Sequence, residues 1–532
     1  MNAETVEETP APLGISPRAQ FWLSTATGIA SAIVTLGVAS VVAFFFGIVS
    51  PLVSVGQLVI DLVPAGVKTV VIAVFGTGDK AFLLVVLAVV VTIAAAFVGI
   101  LQWRRPNWGV ALLGVIGALS FVAAATRANA TIVSVLPTVA GVFVGMLVLR
   151  ALVRRLSAWQ VASSRRIPRS GKAQGVVERR QFIRLALWSS IAAAVAGTGA
   201  QLLTSASAAV TAVRTRISLP TPATTVAPIP AGADLKIPGL SPWVIPNKDF
   251  YRIDTALQVP SIDPKTWKLQ ITGMVEKEIE ITFAELLKLP LEEKYVTLAC
   301  VSQEIGGNLI GNALWLGYPI RNLLAEAKPK AGADMVLSRS IDGFTAGTPL
   351  AVLQDAGTDA ILAVGMNGEP LPIEHGFPVR MVVPGLYGYV SATKWVVQLK
   401  VTTFAKDEGY WTPRGWSALG PVKLSSRIDT PQQGATVKAG TVAVAGVAWR
   451  QHVGVSGVQV QIDKGAWQDA KLAKVVTVDS WLQWSFAWEA KPGQHTISVR
   501  AIDDTGAVQT AKFANPDPNG STGHHTIQVS VG

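Results

Sequence analysis

Five apolar stretches in the first 205 residues constrain the fold of this 532-residue chain more than any other feature. They lie at about 21–48, 80–101, 107–126, 130–149 and 185–205. Each reaches or approaches the ~20 residues that a helix needs to cross ~30 Å of hydrocarbon. A single run of this kind is ordinary in a buried core helix. Five in succession predict an α-helical transmembrane region of about five helices over residues 1–205. Composition agrees, because half of the residues are hydrophobic and only 15% are charged, whereas a soluble domain carries about 25% charge. Residues 51–76 are apolar but broken by Pro51, Asp61, Pro64 and Lys68. That pattern predicts two short interfacial or re-entrant helices rather than a further span.

A formal charge of +11 invites a nucleic-acid reading, but its location argues otherwise. Between Arg150 and Arg184 there are nine arginines and Lys172 against the single acid Glu178, a net +9 in 35 residues between the fourth and fifth runs. Basic segments beside membrane spans stay in the cytoplasm. This loop and the N-terminus are therefore expected inside, and everything beyond about residue 205 outside. The chain reads as a multi-pass cell-membrane protein with its large non-membrane part on the extracytoplasmic side and no nucleic-acid partner. The loop ends in Glu178-Arg179-Arg180-Gln181-Phe182-Ile183-Arg184, which resembles a twin-arginine export motif. Ile183 and Glu178 depart from the residues usual there. That route moves folded domains, so it implies a cofactor inserted before export and a fifth helix that can remain as an anchor.

Residues 206–245 are rich in Pro, Ala and Thr and read as an extended linker. From 246 to 420, short β-rich runs alternate with helical ones, which predicts an α+β domain. From 421 to 532, alternating strands separated by Gly, Pro and Asp turns predict a β-sandwich. Cysteine occurs once, at Cys300, which excludes a disulfide scaffold, a cysteine zinc site and a CxxCH haem attachment. The five histidines, at 375, 452, 495, 524 and 525, all lie outside the apolar region. Those helices therefore offer no paired imidazoles to a haem. Taken alone, Cys300 would be a small buried hydrophobe and His375 a satisfied structural histidine.

Four segments change that reading. They are Asn247-Lys-Asp-Phe-Tyr251-Arg252-Ile-Asp; Tyr295-Val-Thr-Leu-Ala-Cys300-Val-Ser-Gln-Glu-Ile-Gly-Gly; Gly368-Glu-Pro-Leu-Pro-Ile-Glu-His375-Gly-Phe-Pro-Val-Arg380; and Val383-Pro-Gly-Leu-Tyr-Gly388-Tyr-Val-Ser391-Ala-Thr393-Lys394-Trp395. In motif and in chain order they resemble the sulfite oxidase family of molybdopterin-dependent oxidoreductases, in particular its membrane-anchored bacterial members. The resemblance implies that Cys300 is the thiolate ligand of molybdenum, a soft donor to a high-valent metal. It implies that His375 and Arg380 contact the pterin and its phosphate, with Ser391, Thr393 and Lys394 as further phosphate-side donors. Asn247, Tyr251 and Arg252 match the first cofactor-contacting segment, and Ser340 a cofactor-side position. The C-terminal sandwich would then be the family's immunoglobulin-like dimerisation domain, which implies a homodimer.

The sequence also departs from the family pattern. True sulfite oxidases place an arginine-bearing loop after the ligand cysteine, whereas this chain has Val301-Ser-Gln303-Glu304-Ile. One unit charge at ~6 Å is worth roughly 3 kcal/mol at an effective dielectric of 20, so Glu304 is expected to repel a sulfite dianion. An S- or N-oxide reduced by oxygen-atom transfer fits better. In Tyr410-Trp411-Thr-Pro-Arg414-Gly-Trp416 a Trp-rich loop is placed to roof a pocket, with Arg414 polarising a substrate oxygen. Packing of those tryptophans in the core is an equal alternative for the loop. Electrons are expected from a separate quinol-linked or cytochrome partner. Competing readings are a catalytically retired family member acting as a membrane interaction module, a sulfite dehydrogenase, and a transporter with an accessory outer domain.

Overall fold

The computed structural model describes residues 15–46, 48–64, 67, 71, 74–75, 78–127, 130–164, 170–204 and 207–532. The chain divides into two compact units, Met1–Ala208 and Ala209–Gly532. Long helices dominate the first: Pro17–Phe46, Asp79–Arg104, Trp108–Ala125, Leu136–Ser164 and Ser170–Thr204. Among the described residues, five helices are long and apolar enough to cross a membrane, which matches the number expected. Val85, Val89, Ile93 and Phe97 remain exposed on the second of them, an apolar face suited to lipid. In the 51–76 stretch, Pro51–Leu62 is a helix. Its Asp61 pairs with Arg127 at 2.8 Å, so the charge that broke the apolar pattern has a partner. Most of residues 65–77, where a second short helix was expected, lie outside the described residues.

Lipid tails are as apolar as leucine, so helices in a bilayer associate through close backbone approach rather than hydrophobic exclusion. The helix Pro17–Phe46 shows this in its buried residues, which include Ser24, Gly28, Ser31 and Gly37. Where it crosses Asp79–Arg104, a Cβ on Gly28 would lie 1.9 Å from the Ala95 carbonyl oxygen, and one on Gly99 would lie 2.1 Å from that of Ser24. Ser31 Oγ adds a hydrogen bond to the Gly145 carbonyl at 2.8 Å.

The basic segment expected as a loop is largely helical. Arg154 and Arg155 sit on the last turns of Leu136–Ser164, and Arg179, Arg180 and Arg184 within Ser170–Thr204. Residues 165–169 lie outside the described residues. Both helices carry on past their apolar portions because their extensions pack on one another. Phe182 is buried and meets Trp159 at 6.1 Å, while Arg155 donates to Gln181. The paired arginines therefore stand on a continuous helix.

Two sheets and a sandwich make up the second unit. One sheet orders Ile279–Thr282, Lys268–Gly273, Val396–Thr402, Met335–Ser340 and Thr345–Pro349, with Lys268–Gly273 and Val396–Thr402 parallel and the other pairs antiparallel. The second orders Glu292–Ala299, Ile310–Pro319, Ile361–Met366 and Glu369–Pro370, and Arg380–Val382 also pairs with Ile361–Met366. Ile361–Met366 is buried at every position, the run expected of a strand covered on both faces. Leu269, Ile271, Leu362, Met381, Val396 and Leu399 meet in the principal core.

The C-terminal strands form four- and five-stranded sheets, Ser425–Thr430/Gly440–Trp449/Leu482–Ala490/Lys471–Leu472 and Thr436–Val437/His525–Val531/Gly493–Asp503/Val455–Ile462/Gln468–Asp469. Val444, Trp484, Val460, Val499 and Val529 fill the space between them. The stretch expected as a linker is extended but tied down. Ala223 N–H donates to the Leu291 carbonyl at 2.7 Å, Leu235 N–H to Gln483 at 2.7 Å and Ser241 N–H to Asp429 at 3.0 Å. Trp243 is fully buried. Proline and alanine here make a strap that follows the two folded layers rather than a free spacer.

The helix crossing yields a test. Gly99→Leu is expected to cost about 1–3 kcal/mol or more by overpacking and to lower the thermal midpoint of the detergent-solubilised chain. Ile93→Ala, on the exposed face, is expected to leave it within about 0.5 kcal/mol. Equal midpoints for the two variants would contradict the close crossing.

Candidate functional site

The strand Glu292–Ala299 becomes fully buried over its last four residues and delivers Cys300 to the interior. A closed loop follows. Cys300 N–H donates to the Leu309 carbonyl at 2.9 Å, and Gln303 spans the loop, donating to the Gly307 carbonyl at 2.8 Å and accepting from Leu309 N–H at 2.5 Å. Burial pushes the Cys300 thiol up, and Ser302 partly opposes it. Cys300 is thus a protonated thiol in isolation, and a metal ion would hold it deprotonated. Two phenols share its surroundings. Tyr251 is raised by burial, then by the nearby Cys300, and lowered by Arg380. Tyr387 is pushed up to about 12, first by burial, with a smaller contribution from Cys300. Tyr251 is thus within electrostatic reach of both Cys300 and Arg380.

Arg380 begins a short strand after the turn His375-Gly376-Phe377-Pro378. Gly376 has φ 116°, and a Cβ there would sit 2.9 Å from that of Arg380, so the motif requires glycine at this point. The Arg380 guanidinium donates to the carbonyls of His375 (3.1 Å), Met381 (3.3 Å) and Ala392 (3.4 Å) and stands 5.1 Å over the Trp315 ring. Among the described residues it has no carboxylate at ion-pair distance. Burial lowers its pKa to about 10, which leaves it charged at neutral pH. A buried cation without an anion costs several kcal/mol, and three carbonyl dipoles offset only part of that. This is the observation that fits an anionic group arriving with a ligand.

The remaining candidates gather around it. His375 Nε2 donates to the Asn247 carbonyl at 3.0 Å, and its ring meets Phe250 edge-on at 5.6 Å. Burial first, then Arg380, lowers its pKa to about 4, so the imidazole is neutral. Asn247 is braced by Asn367 and Glu369. Lys394 Nζ donates to Asp254 at 2.6 Å and to the Glu374 carbonyl at 3.1 Å, and Arg252 meets the same carboxylate at 2.9 Å. Burial lowers Lys394 to about 8 against the pull of Asp254. Thr393 Oγ1 and Ser338 Oγ are 2.7 Å apart in the core. Ser391 is committed to the Leu386 and Tyr387 carbonyls. Ser340 accepts from Asp342 N–H, and burial raises the carboxyl of Asp342. Arg414 donates to the Tyr410 carbonyl at 2.6 Å with its guanidinium 3.8 Å from the Tyr410 ring centre. Trp411 and Trp416 pack against the buried cluster that includes Ala299, Val301 and Tyr389.

Two further residues, Asp254 and Ser338, belong to this constellation without having been singled out in the sequence. Asp254 had a visible signal, a carboxylate two residues after Arg252. Ser338 had none, because only its register opposite the strand Val396–Thr402 brings it to Thr393. Glu304 is exposed. Water screens it, so the repulsion of ~3 kcal/mol expected from a shielded carboxylate does not apply at full strength.

The comparisons with known proteins agree with this geometry. Residues 256–411 match the family profile of the oxidoreductase molybdopterin binding domain, and residues 425–499 that of a bacterial Ig domain. The chain is 29% identical to mitochondrial sulfite oxidase of Mus musculus over 315 residues, 50% of this chain and 57% of that protein. It is 31% identical to nitrate reductase [NADH] 2 of Nicotiana tabacum over 170 residues, 27% of this chain and 19% of that one. The solved sulfane dehydrogenase SoxCD of Paracoccus pantotrophus superposes with TM-score 0.47 at 23% identity, covering 53% of this chain and 80% of that one. The fold and site thus define a molybdopterin-binding oxidoreductase domain followed by an Ig-like domain. Residues 256–411 therefore carry a molybdopterin-binding oxidoreductase domain similar to that of the sulfite oxidases, which implies a molybdenum cofactor held by molybdopterin. The chain spans little more than half the length of the sulfite oxidases it matches.

Two outcomes follow from the buried charges. Arg380→Met is expected to abolish pterin retention while leaving the thermal midpoint of cofactor-free protein unchanged or higher, since it removes an uncompensated charge. An equal loss of stability without cofactor would contradict that account. His375 is neutral in the fold and titrates near 6.5 when unfolded. The unfolded state therefore binds the extra proton as pH falls, and stability present above pH 6.5 is lost between 6.5 and 4, by up to ~3 kcal/mol. Denaturant titrations of cofactor-free wild type and His375→Asn should show a flatter acid limb in the variant.

Proposed function

We propose that the chain is a membrane-anchored molybdopterin-dependent oxidoreductase with its catalytic domain on the extracytoplasmic side. It transfers an oxygen atom, on an S- or N-oxide in preference to sulfite. The observation that carries the reading is the Arg380 guanidinium, buried without a carboxylate at ion-pair distance among the described residues, with Tyr251 in electrostatic reach of both it and Cys300. When bound, the molybdenum cofactor supplies the two-electron couple and the oxygen-atom acceptor. Cys300 would present the thiolate, Arg380 and Lys394 would hold the phosphate, and neutral His375 holds the Asn247 carbonyl. Tyr251 and Tyr387 stay protonated and able to donate hydrogen bonds. Reducing an S-oxide breaks the S–O bond, consumes two electrons and two protons and releases water. With one cysteine and no histidine before 375, those electrons come from a separate quinol-linked or cytochrome partner.

Support for a neutral oxide comes from the loop 301–309, which contains no lysine or arginine to hold a dianion. A sulfite dehydrogenase is the second reading, favoured by the sulfite oxidases among its relatives and by the exposure of Glu304. Extracytoplasmic placement rests on the basic residues that flank the fourth and fifth apolar helices, and the paired Arg179-Arg180 is the element to which an export role is assigned.

Expression with a full cofactor supply should give stoichiometric molybdenum and pterin. S- and N-oxides with a reduced dye should then be compared with sulfite and an oxidised dye. Oxide turnover at least tenfold above sulfite turnover is expected, with Cys300→Ala inactive. Sulfite turnover alone would select the dehydrogenase, and wild type free of molybdenum would remove the enzymatic reading. Arg414→Ala is expected to lower oxide kcat about tenfold, or ~1.4 kcal/mol of transition-state stabilisation; unchanged turnover would take Arg414 out of the site.

A further inference from the structure

Cys300 is gripped on both flanks by the C-terminal sandwich. Its strand, Glu292–Ala299, is the outer strand of its sheet, and such an edge leaves backbone groups to be covered. At its start the strap covers them, with Glu293 N–H donating to the Thr224 carbonyl at 2.9 Å. At Thr297 the sandwich takes over. Thr297 N–H donates to the Asp479 carbonyl at 3.0 Å, its carbonyl accepts from Gln451 Nε2 at 2.5 Å, and its Oγ1 accepts from Trp481 N–H at 2.8 Å. Thr297 is 1% exposed, so none of these groups has water as an alternative. On the other flank, Ser521 Oγ donates to the Gln303 carbonyl at 2.6 Å and Arg427 Nη1 to the Gly307 carbonyl at 2.8 Å, with Arg427 held by Asp429. Thr297 and Gln303 stand three residues before and after Cys300.

Apolar packing alone would cover this edge without fixing where the strand stops. Directed hydrogen bonds at buried groups fix position along the strand, because each one lost leaves a donor or acceptor unpaired at ~1–3 kcal/mol. We propose that the sandwich is the positioning element of Cys300, with Gln451 and Ser521 as positioning residues that hold the thiol toward the cofactor. The inference rests on Cys300 being the cofactor ligand of the proposed function.

The test uses the full chain with Ser521→Ala, Gln451→Ala and the double variant, and Ser521→Thr as the conservative replacement. In protein from a host unable to make the cofactor, the rate of Cys300 alkylation by iodoacetamide is expected to rise about fivefold per bond removed, the factor that ~1 kcal/mol gives. Ser521→Thr is expected to restore the wild-type rate. In cofactor-loaded protein, the thiolate-to-metal absorption should shift or weaken at unchanged molybdenum content. Unaltered alkylation and absorption in variants with a normal thermal midpoint would overturn the proposal. If the double variant fails to fold, the Ser521 pair decides alone. Wild type that takes up no molybdenum would remove the functional reading, while the alkylation arm still decides whether the sandwich fixes Cys300.

Discussion

The Arg380 guanidinium sets the electrostatics of its surroundings because it is charged, buried and, among the described residues, without a carboxylate at ion-pair distance. Three carbonyls and the Trp315 ring surround it, an arrangement that tolerates a cation but does not neutralise it. Its neighbours respond accordingly. His375 is held neutral, partly by Arg380 itself. Lys394 keeps its proton with Asp254 beside it, and Arg252 shares that carboxylate. A buried cluster with surplus positive charge is a poor core and suits a phosphorylated ligand.

Placing that charge requires strands from distant parts of the chain. Arg380 pairs into the sheet that also carries the cysteine strand, separated from it by Ile361–Met366 and Ile310–Pro319. Lys394 enters the other sheet just before Val396–Thr402. Asn247 and Tyr251 arrive on the end of the strap. The site therefore lies where two sheets and an irregular segment converge, and its rigidity comes from the layers behind it. The sandwich is one of those layers, since it covers the free edge of the cysteine strand at Thr297.

Much of this was legible in the sequence, for reasons that differ by element. The apolar helices declare themselves because a bilayer imposes a length and a composition that water does not. The sandwich strands were visible as period-two alternation, and strands such as Gly493–Asp503 still show it in burial. Cys300, His375 and Arg380 were legible through motifs, and Gly376 shows why such a motif is fixed. Its left-handed backbone and close approach to Arg380 admit no side chain. What stayed hidden depended on long-range register: Ser338 beside Thr393, the strap in place of a free linker, and Arg154 and Arg179 on helix extensions rather than in a loop. None of these leaves a periodic trace, because each is decided by what the segment packs against.

Charge allocation also bears on the substrate. Within the site, Lys394 and Arg252 are both engaged by Asp254, and Arg380 is buried within electrostatic reach of Tyr251. An oxyanion substrate needs a further cation, and the loop 301–309 beside Cys300 supplies none. Arg414 is the nearest candidate by sequence pattern, yet its guanidinium lies on the Tyr410 ring, a contact that stabilises a cation without presenting it as a free anion clamp. Glu304 is exposed and screened, so it neither excludes nor attracts strongly. The proposed preference for a neutral oxide therefore rests on missing positive charge more than on added negative charge.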